Sequence, residues 1–136
     1  MKSRAKWLDH MSFVGESGSG HSVVMDGAPE SGGRDLGVRP MEMLLLGLGG
    51  CASFDVVMIL QKARQNIKNC EVEITAERAD TEPKVFTKIH LHFVVEGDMS
   101  EAKVARAVSL SAEKYCSASK MLEKTATISH GFELIN

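Results

Sequence analysis

The chain has 136 residues, of which 43% are hydrophobic and 25% are charged, and its formal net charge is −2. This composition is typical of an ordinary globular protein and predicts one domain over residues 1–136. The small negative charge provides no basic field, so neither nucleic acid nor an anionic membrane is an expected partner. The three cysteines are an odd number, and the first residues lack the apolar core of a signal peptide. Both features indicate a reducing compartment, and we expect a cytoplasmic protein.

The first forty residues predict a hairpin followed by a loop. Alternating apolar and polar residues predict strands over 2–14 and 21–26, joined by a turn in the Gly-Glu-Ser-Gly-Ser-Gly run at 15–20. That run lacks the lysine and the following helix of a phosphate-binding P-loop, and a hairpin turn explains it. Residues 27–39 are rich in glycine and predict a loop that leads into the next element.

A long helix is predicted from Pro40, a residue that suits the first position of a helix. From Met43 to Leu60 its only charge is Asp55, so the helix is apolar on all sides and should be buried. Eighteen such residues touch the lower limit for a membrane span. The charge at Asp55 and the glycines at 47, 49 and 50 favour instead the core of a soluble protein, where another backbone comes close to the helix.

The second half of the chain predicts a sheet and two helices. Residues 71–77 and 85–96 alternate with period two around a turn at 81–84, which predicts an antiparallel sheet with one wet face. Ser100 should cap a helix that runs to about Tyr115, followed by a shorter helix and a final strand over 128–134. The predicted inward positions are Val72, Ile74, Ala76, Val85, Thr87, Ile89, Leu91, Phe93 and Val95. This order predicts an α+β fold, with antiparallel sheets and a long buried central helix.

Two cysteines occupy positions where thiol chemistry is possible. Cys51 directly follows the glycines of the long helix, with Asp55 one turn later on the same face. Cys116 is predicted at the N-terminus of the short helix, where unpaired N–H groups favour a thiolate. One thiolate can attack a peroxide to give a sulfenic acid, which a second thiol converts to a disulfide. Cys51 as a small buried hydrophobic residue is the competing interpretation, and Cys70 is predicted to be structural.

Two other constellations carry little weight. His90 and His92 share one strand face, but a metal site needs three or four ligands and no third is apparent. No Gly-x-Ser-x-Gly elbow for a serine nucleophile is present. We therefore expect neither a metal nor another cofactor.

Two segments resemble a known family. The run Val-Arg-Pro-Met-Glu-Met-Leu-Leu-Leu-Gly-Leu-Gly-Gly-Cys-Ala-Ser-Phe-Asp at 38–55 resembles the signature of the OsmC/Ohr family, named for osmotic induction and organic hydroperoxide resistance. The run Lys-Tyr-Cys-Ser-Ala-Ser-Lys-Met-Leu at 114–122 is similar to the second cysteine motif of that family and its short helix. The resemblance covers almost the whole chain and implies an OsmC-like fold in an intertwined homodimer, with two sites at the subunit interface. It also implies thiol-dependent reduction of hydroperoxides, which are organic in the better-known branches.

The resemblance assigns roles to individual residues. It implies that Cys51 is the peroxidatic cysteine, that Cys116 is the resolving cysteine and that Glu42 corresponds to a glutamate near the start of the same helix. In the peroxidase branches that carboxylate lies about one residue earlier, at the position of Met41, and helps to hold an arginine against the thiolate.

The chain departs from the family pattern at that arginine. In the peroxidase branches it lies in the N-terminal hairpin, and residues 16–21 here contain none. Arg39 and Arg34 in the following loop are the available substitutes. Without a nearby cation, burial would raise the pKa of the thiol.

Two functional hypotheses follow. The first is a hydroperoxide reductase for oxidative stress defence, in which Glu42 and Arg39 tune Cys51 and a thiol reductant recycles the disulfide. The alternative is a non-enzymatic protein on the same scaffold that binds a small hydrophobic or electrophilic ligand.

Overall fold

The computed structural model describes residues 1–136 and divides them into two units, Met1–Leu46 and Gly47–Asn136. The division falls inside the long helix that both units share. Each unit has its own three-stranded sheet.

The first unit is an antiparallel sheet of β1 (Ser3–Asp9), β2 (Ser12–Ser17) and β3 (Ser22–Met25), in that order. The single strand predicted over 2–14 is therefore wrong. The chain turns at His10, whose φ is 46°, and the Trp7 indole N–H donates to the His10 carbonyl over 2.8 Å. The apolar–polar alternation continues through this short turn, so periodicity alone could not reveal it. β2 also extends to Ser17, into the predicted turn.

Asp26 organises the loop after β3. Its carboxylate accepts hydrogen bonds from the Ser12 hydroxyl at 2.8 Å, from the Gly27 N–H at 2.7 Å and from the Leu36 N–H at 3.3 Å. The Asp26 N–H donates to the Val38 carbonyl at 3.0 Å. Because the side chain is 1% exposed, these bonds replace the water that a free carboxylate would require.

The long helix α1 spans Pro40–Lys62, so the predicted start at Pro40 is confirmed. The Arg39 N–H at its beginning donates to Glu42 Oε1 over 2.8 Å, as in one half of a capping box. In the single chain only one face of α1 is buried, through Leu48, Gly49, Ala52, Val56 and Leu60, whereas Phe54 is 70% exposed. The sequence predicts burial on all sides of α1, whereas in the single chain only one face of the helix is buried. By length and composition alone α1 could cross a membrane, with a mean hydropathy of 2.1 over 18 residues.

The second unit contains β4 (Asn66–Arg78), β5 (Phe86–Asp98) and β6 (Thr127–Ile135), in that order. β4 and β5 are antiparallel as predicted, but β6 runs parallel to β5, so this sheet is mixed. The crossover between β5 and β6 carries the helices, which is what a parallel neighbour requires. The inward positions from Ile89 to Val95 are confirmed. An irregularity between Glu77 and Arg78 shifts the register of β4 against β5. Phe86 is therefore buried, whereas Val85 and Thr87, which the sequence predicted to point inward, are exposed.

The crossover consists of α2 (Glu101–Leu110), a π-helical segment (Ser111–Tyr115) and α3 (Ser117–Leu122). Ser100 caps α2 as predicted, its hydroxyl accepting from the Lys103 N–H at 3.4 Å. α1 lies very close to β4 at Gly49, where an added Cβ would come within 2.6 Å of Ile74 Cδ1. The fold is α+β, as the sequence predicts.

We expect Asp26→Asn to lower the melting temperature by several degrees at pH 7, relative to Asp80→Asn at an exposed position. Burial opposes the charge of Asp26, but the hydrogen bonds from Ser12, Gly27, Leu36 and Arg34 outweigh it and hold its pKa below the usual 3.8. A pKa lowered by folding stabilises the native state above the unfolded value, and the contribution is lost as the pH falls. Thermal unfolding should therefore show the two variants converging below pH 3.8. Equal melting temperatures at pH 7 would contradict the assignment.

Candidate functional site

Cys51, Asp55 and Cys116 form a compact group in the second unit. One ligating atom of each, the two sulfurs and a carboxylate oxygen, lies within 4.8 Å of the others. Cys51 and Asp55 come from successive turns of α1, and Cys116 from the junction of the π-helical segment with α3. The predicted proximity of Cys51 and Cys116 is confirmed. Since a disulfide bond is about 2.05 Å long, the sulfurs need to close by at most about 3 Å.

A π-helical turn presents Cys116 to α1. The Cys116 N–H donates to the Ser111 carbonyl at 2.9 Å, and the Ser111 hydroxyl donates to the Ala52 carbonyl at 2.8 Å. Ser111 is fully buried, so this second bond satisfies a hydroxyl that would otherwise be costly to bury. It fastens the segment leading to Cys116 to the residue next to Cys51.

Cys116 is fully buried and is the N-cap residue of α3. Its sulfur accepts a hydrogen bond from the Ser119 N–H at 3.4 Å. Burial nevertheless raises the pKa of the Cys116 thiol; the hydrogen bonds from Ser119 offset only part of this effect, and Cys51 adds to it. The prediction that the helix N-terminus makes Cys116 a thiolate is therefore wrong. A six-residue helix supplies too little stabilisation to outweigh complete desolvation.

The two cysteines differ in access to solvent. Cys51 is half-buried, whereas Cys116 has no exposed surface. A small molecule arriving from solvent therefore meets Cys51 first, which is the order that the predicted roles require.

Cys70 lies outside this group, as the sequence predicts. It is a half-buried residue of β4, opposite Val95 of β5. Burial raises the pKa of its thiol, and a hydrogen bond with Ser53 of α1 opposes that shift. The structure thus gives Cys70 a packing position between the sheet and α1.

Glu42 and Arg39 serve the start of α1 in this structure. Glu42 is exposed and accepts the hydrogen bond from the Arg39 backbone described above. The Arg39 guanidinium pairs with Asp35 at 2.9 Å and donates to the Gly37 carbonyl at 3.2 Å. The hydrogen bond with Asp35 raises the pKa of Arg39. Their predicted action on Cys51 remains a prediction.

The two histidines singled out from the sequence have ordinary polar partners. The His90 ring lies 2.7 Å from the Ser129 hydroxyl, and His92 lies 3.4 Å from the Glu133 carboxylate. The Cys51, Asp55 and Cys116 group offers two sulfurs and one oxygen, one donor short of a closed tetrahedral zinc site.

Three polar residues of the site carry no predicted role in the sequence analysis. Ser111 and Ser119 are buried serines on helical segments, and Asp55 is the only charged residue from Met43 to Leu60. Asp55 was detectable as an exception to its apolar surroundings. The serines had no such signal, because a serine in a helix usually faces solvent.

A groove of about 370 Å³ lies between α1 and the first half of β4. Its lining combines apolar side chains of the helix with Cys70: Gly50, Ser53, Phe54, Val57, Met58, Gln61 and Cys70. Phe54 and Met58 are large apolar side chains that stay exposed here.

Comparison with known proteins identifies the family. The OsmC-like protein family model matches residues 32–131. The chain is 52% identical to protein YhfA of Escherichia coli K12, over 99% of this chain and 98% of YhfA. A crystal structure of an Aquifex aeolicus protein has 28% identity and a TM-score of 0.82, over 99% of this chain and 97% of that one. The organic hydroperoxide resistance protein OhrB of Bacillus subtilis has 18% identity and a TM-score of 0.65, over 97% and 96% of the two chains. The chain therefore belongs to the OsmC-like protein family.

Proposed function

We propose that this protein reduces organic hydroperoxides with a pair of thiols, Cys51 as the peroxidatic cysteine and Cys116 as the resolving cysteine. The observation that carries the proposal is the approach of the two sulfurs and the Asp55 carboxylate within 4.8 Å. The reaction needs no metal and no organic cofactor. The resemblance of the fold to hydroperoxide resistance proteins supports the substrate class. The proposed site of action is the cytoplasm.

The proposed reaction has two steps. The Cys51 thiolate attacks the terminal oxygen of the hydroperoxide, the O–O bond breaks, and the products are a Cys51 sulfenic acid and an alkoxide, which takes a proton from solvent and leaves as the alcohol. The Cys116 sulfur then attacks the Cys51 sulfur, the S–O bond breaks, and water leaves as the disulfide forms. An external thiol reductant supplies the two electrons that return both cysteines to thiols.

The geometry supports this division of labour. Half-buried Cys51 is open to a substrate, whereas buried Cys116 is protected from direct oxidation. The raised pKa of Cys116 keeps its side chain protonated until the sulfenic acid forms on Cys51. The segment held by Ser111 keeps that thiol beside Cys51.

We also propose that the protein is a homodimer in which the outward face of α1 is covered by a second copy. That face carries exposed apolar side chains that water would not stabilise: Leu44, Leu46, Phe54 and Met58. Gly47 and Gly50 have open space around the position of a Cβ, so another backbone can approach α1 there.

The groove beside Cys70 supports the second candidate function. Its lining is largely apolar, and a non-enzymatic protein could hold a small hydrophobic or electrophilic ligand there. Cys70 would then be the thiol in contact with the ligand, and the pair at Cys51 would play no part.

A titration of free thiols tests the proposed reaction. One equivalent of cumene hydroperoxide should lower the free thiols of the reduced protein from three per chain to one, because Cys51 and Cys116 join in a disulfide. Cys51→Ser should lose no thiol in the time that the wild-type protein takes to form its disulfide. Cys116→Ser should lose one and give a sulfenic acid that dimedone traps and that a second equivalent of hydroperoxide over-oxidises to the sulfinic acid. Cys70→Ser is the matched control and should retain full turnover. If Cys51 reacts no faster than free cysteine at the same pH, the reductase proposal is wrong and the binding function takes its place.

A second prediction concerns Arg39. If its cation stabilises the Cys51 thiolate or the transition state by about 1.4 kcal/mol or more, Arg39→Ala should slow the reaction of Cys51 with hydroperoxide about tenfold or more. Stopped-flow measurement of Cys51 oxidation checks this, with Arg106→Ala on an exposed position of α2 as the control. Equal rates for both variants would remove Arg39 from the mechanism.

Sedimentation tests the proposed homodimer. Sedimentation at micromolar concentration should give a dimer, and Phe54→Glu should raise its dissociation constant about tenfold or more, because a buried aromatic side chain contributes on the order of 2 kcal/mol. Phe54→Leu keeps an apolar side chain and should remain dimeric. A wild-type protein that sediments as a monomer would contradict the proposed interface.

A further inference from the structure

The buried oxygens without a hydrogen-bond partner are concentrated at the thiol pair. Two buried side-chain oxygens have no partner in the whole structure, Asp55 Oδ2 and Ser119 Oγ. Asp55 belongs to the group of Cys51 and Cys116, and Ser119 contacts the Cys116 sulfur. Native proteins leave few buried polar groups unsatisfied, so two such atoms at one site call for a functional explanation.

Asp55 is half-buried, and no contact accounts for the burial of its Oδ2 atom. Oδ2 has no hydrogen-bond partner, in contrast to the carboxylate of Asp26, which accepts hydrogen bonds from Ser12, Gly27 and Leu36. A buried carboxylate oxygen without a partner costs folding free energy, and an apolar residue at this position of α1 would avoid that cost. One oxygen of the carboxyl group nevertheless lies within 4.8 Å of both sulfurs.

The resolution step presents a proton problem that a carboxylate can solve. Cys116 is fully buried and has its pKa raised, so its sulfur carries a proton when the sulfenic acid forms on Cys51. A thiol attacks sulfur poorly until it loses that proton. The leaving oxygen of the sulfenic acid needs a proton, because hydroxide is a poor leaving group.

We propose that Asp55 transfers the proton in disulfide formation, from the Cys116 sulfur to the hydroxyl that leaves Cys51. The Asp55 carboxylate takes the proton as the Cys116 sulfur forms its bond to the Cys51 sulfur. The S–O bond breaks, and the carboxylic acid gives the same proton to the departing hydroxide, which leaves as water. Asp55 ends the step ionised again, so protons and electrons balance without another reactant. This inference rests on the proposed function.

The surroundings of Asp55 suit a general base. Burial alone raises the pKa of its carboxyl group, which makes the carboxylate a stronger base toward a thiol. The titratable groups that face it are the thiols of Cys51, from α1 itself, and Cys116, from the start of α3. On the π-helical segment Glu113 and Lys114 are exposed, and β4 presents Val72 and Ile74 to α1 at Gly49.

The test separates the two steps in a single turnover at pH 7. Stopped-flow mixing with cumene hydroperoxide and dimedone trapping measure sulfenic acid on Cys51, and free-thiol loss measures the disulfide. Asp55→Asn should form the sulfenic acid within about threefold of the wild-type rate but close the disulfide about a hundredfold more slowly, so that dimedone traps most of the protein. Asp98→Asn makes the same chemical change at an exposed position and should match the wild type.

The pH profile distinguishes proton transfer from a structural effect. In the wild type the rate of disulfide closure should level off above the titration of Asp55. In Asp55→Asn it should rise about tenfold per pH unit until Cys116 itself ionises. If the closure rate of the wild type also rises tenfold per pH unit, the proposal is wrong. This measurement needs only the wild-type protein, so it remains possible if Asp55→Asn fails to fold.

The remaining outcomes are distinct. If Asp55→Asn closes the disulfide at the wild-type rate, Asp55 is not the proton carrier, while the proposed reductase function stands. If wild-type Cys51 forms no sulfenic acid at all, the proposed function fails first and this inference fails with it.

Discussion

The hydrogen bond from the Ser111 hydroxyl to the Ala52 carbonyl is the constraint on which the site depends. Cys51 and Cys116 are far apart in sequence and come from different helical elements, so nothing local holds them together. The π-helical turn after α2 pairs the Ser111 carbonyl with the N–H of Cys116, five residues later. Because Ser111 is buried, breaking its bond would leave a buried hydroxyl unsatisfied, and the arrangement is therefore well specified. Ser111 thus links the packing of the crossover to the chemistry of the thiols.

Burial raises the pKa of two groups at this site, the Cys116 thiol and the Asp55 carboxyl group. It protects Cys116 from solvent and keeps its thiol protonated, which suits a resolving cysteine. The same burial raises the pKa of Asp55 and makes its carboxylate costly, which a purely structural residue would not need. Sites that carry chemistry often keep such unfavourable groups, because a perturbed acid or base near its operating pH transfers protons more effectively. The folding cost and the proposed reactivity of Asp55 have one physical cause.

The sequence predicted much of this architecture because its strongest patterns are local. The long apolar helix, its start at Pro40, the Ser100 cap and the period-two strands each follow from neighbouring residues. The predictions failed where a non-local contact or a short turn decided the outcome: the turn at His10, the parallel pairing of β6 and the register shift near Phe86. At the site, the predicted helix positions of Cys51 and Cys116 indicated possible thiol chemistry, and the family resemblance assigned their individual roles. The raised pKa of Cys116 could not be anticipated, because it depends on burial that no local pattern encodes.

Two features of the chain bear on how the thiols are activated. Residues 16–21 contain no arginine, and Asp55 lies beside the two cysteines. A cation beside a cysteine stabilises the thiolate before any substrate arrives. A carboxylate beside two thiols cannot do that, because its charge opposes a second negative charge, but it can take a proton while the sulfur forms its new bond. The fold persists between this chain and OhrB at 18% identity, and a shared fold does not by itself determine the chemistry of a site. In the proposed mechanism, closure of the disulfide therefore depends on proton transfer through Asp55 more than on a standing Cys116 thiolate.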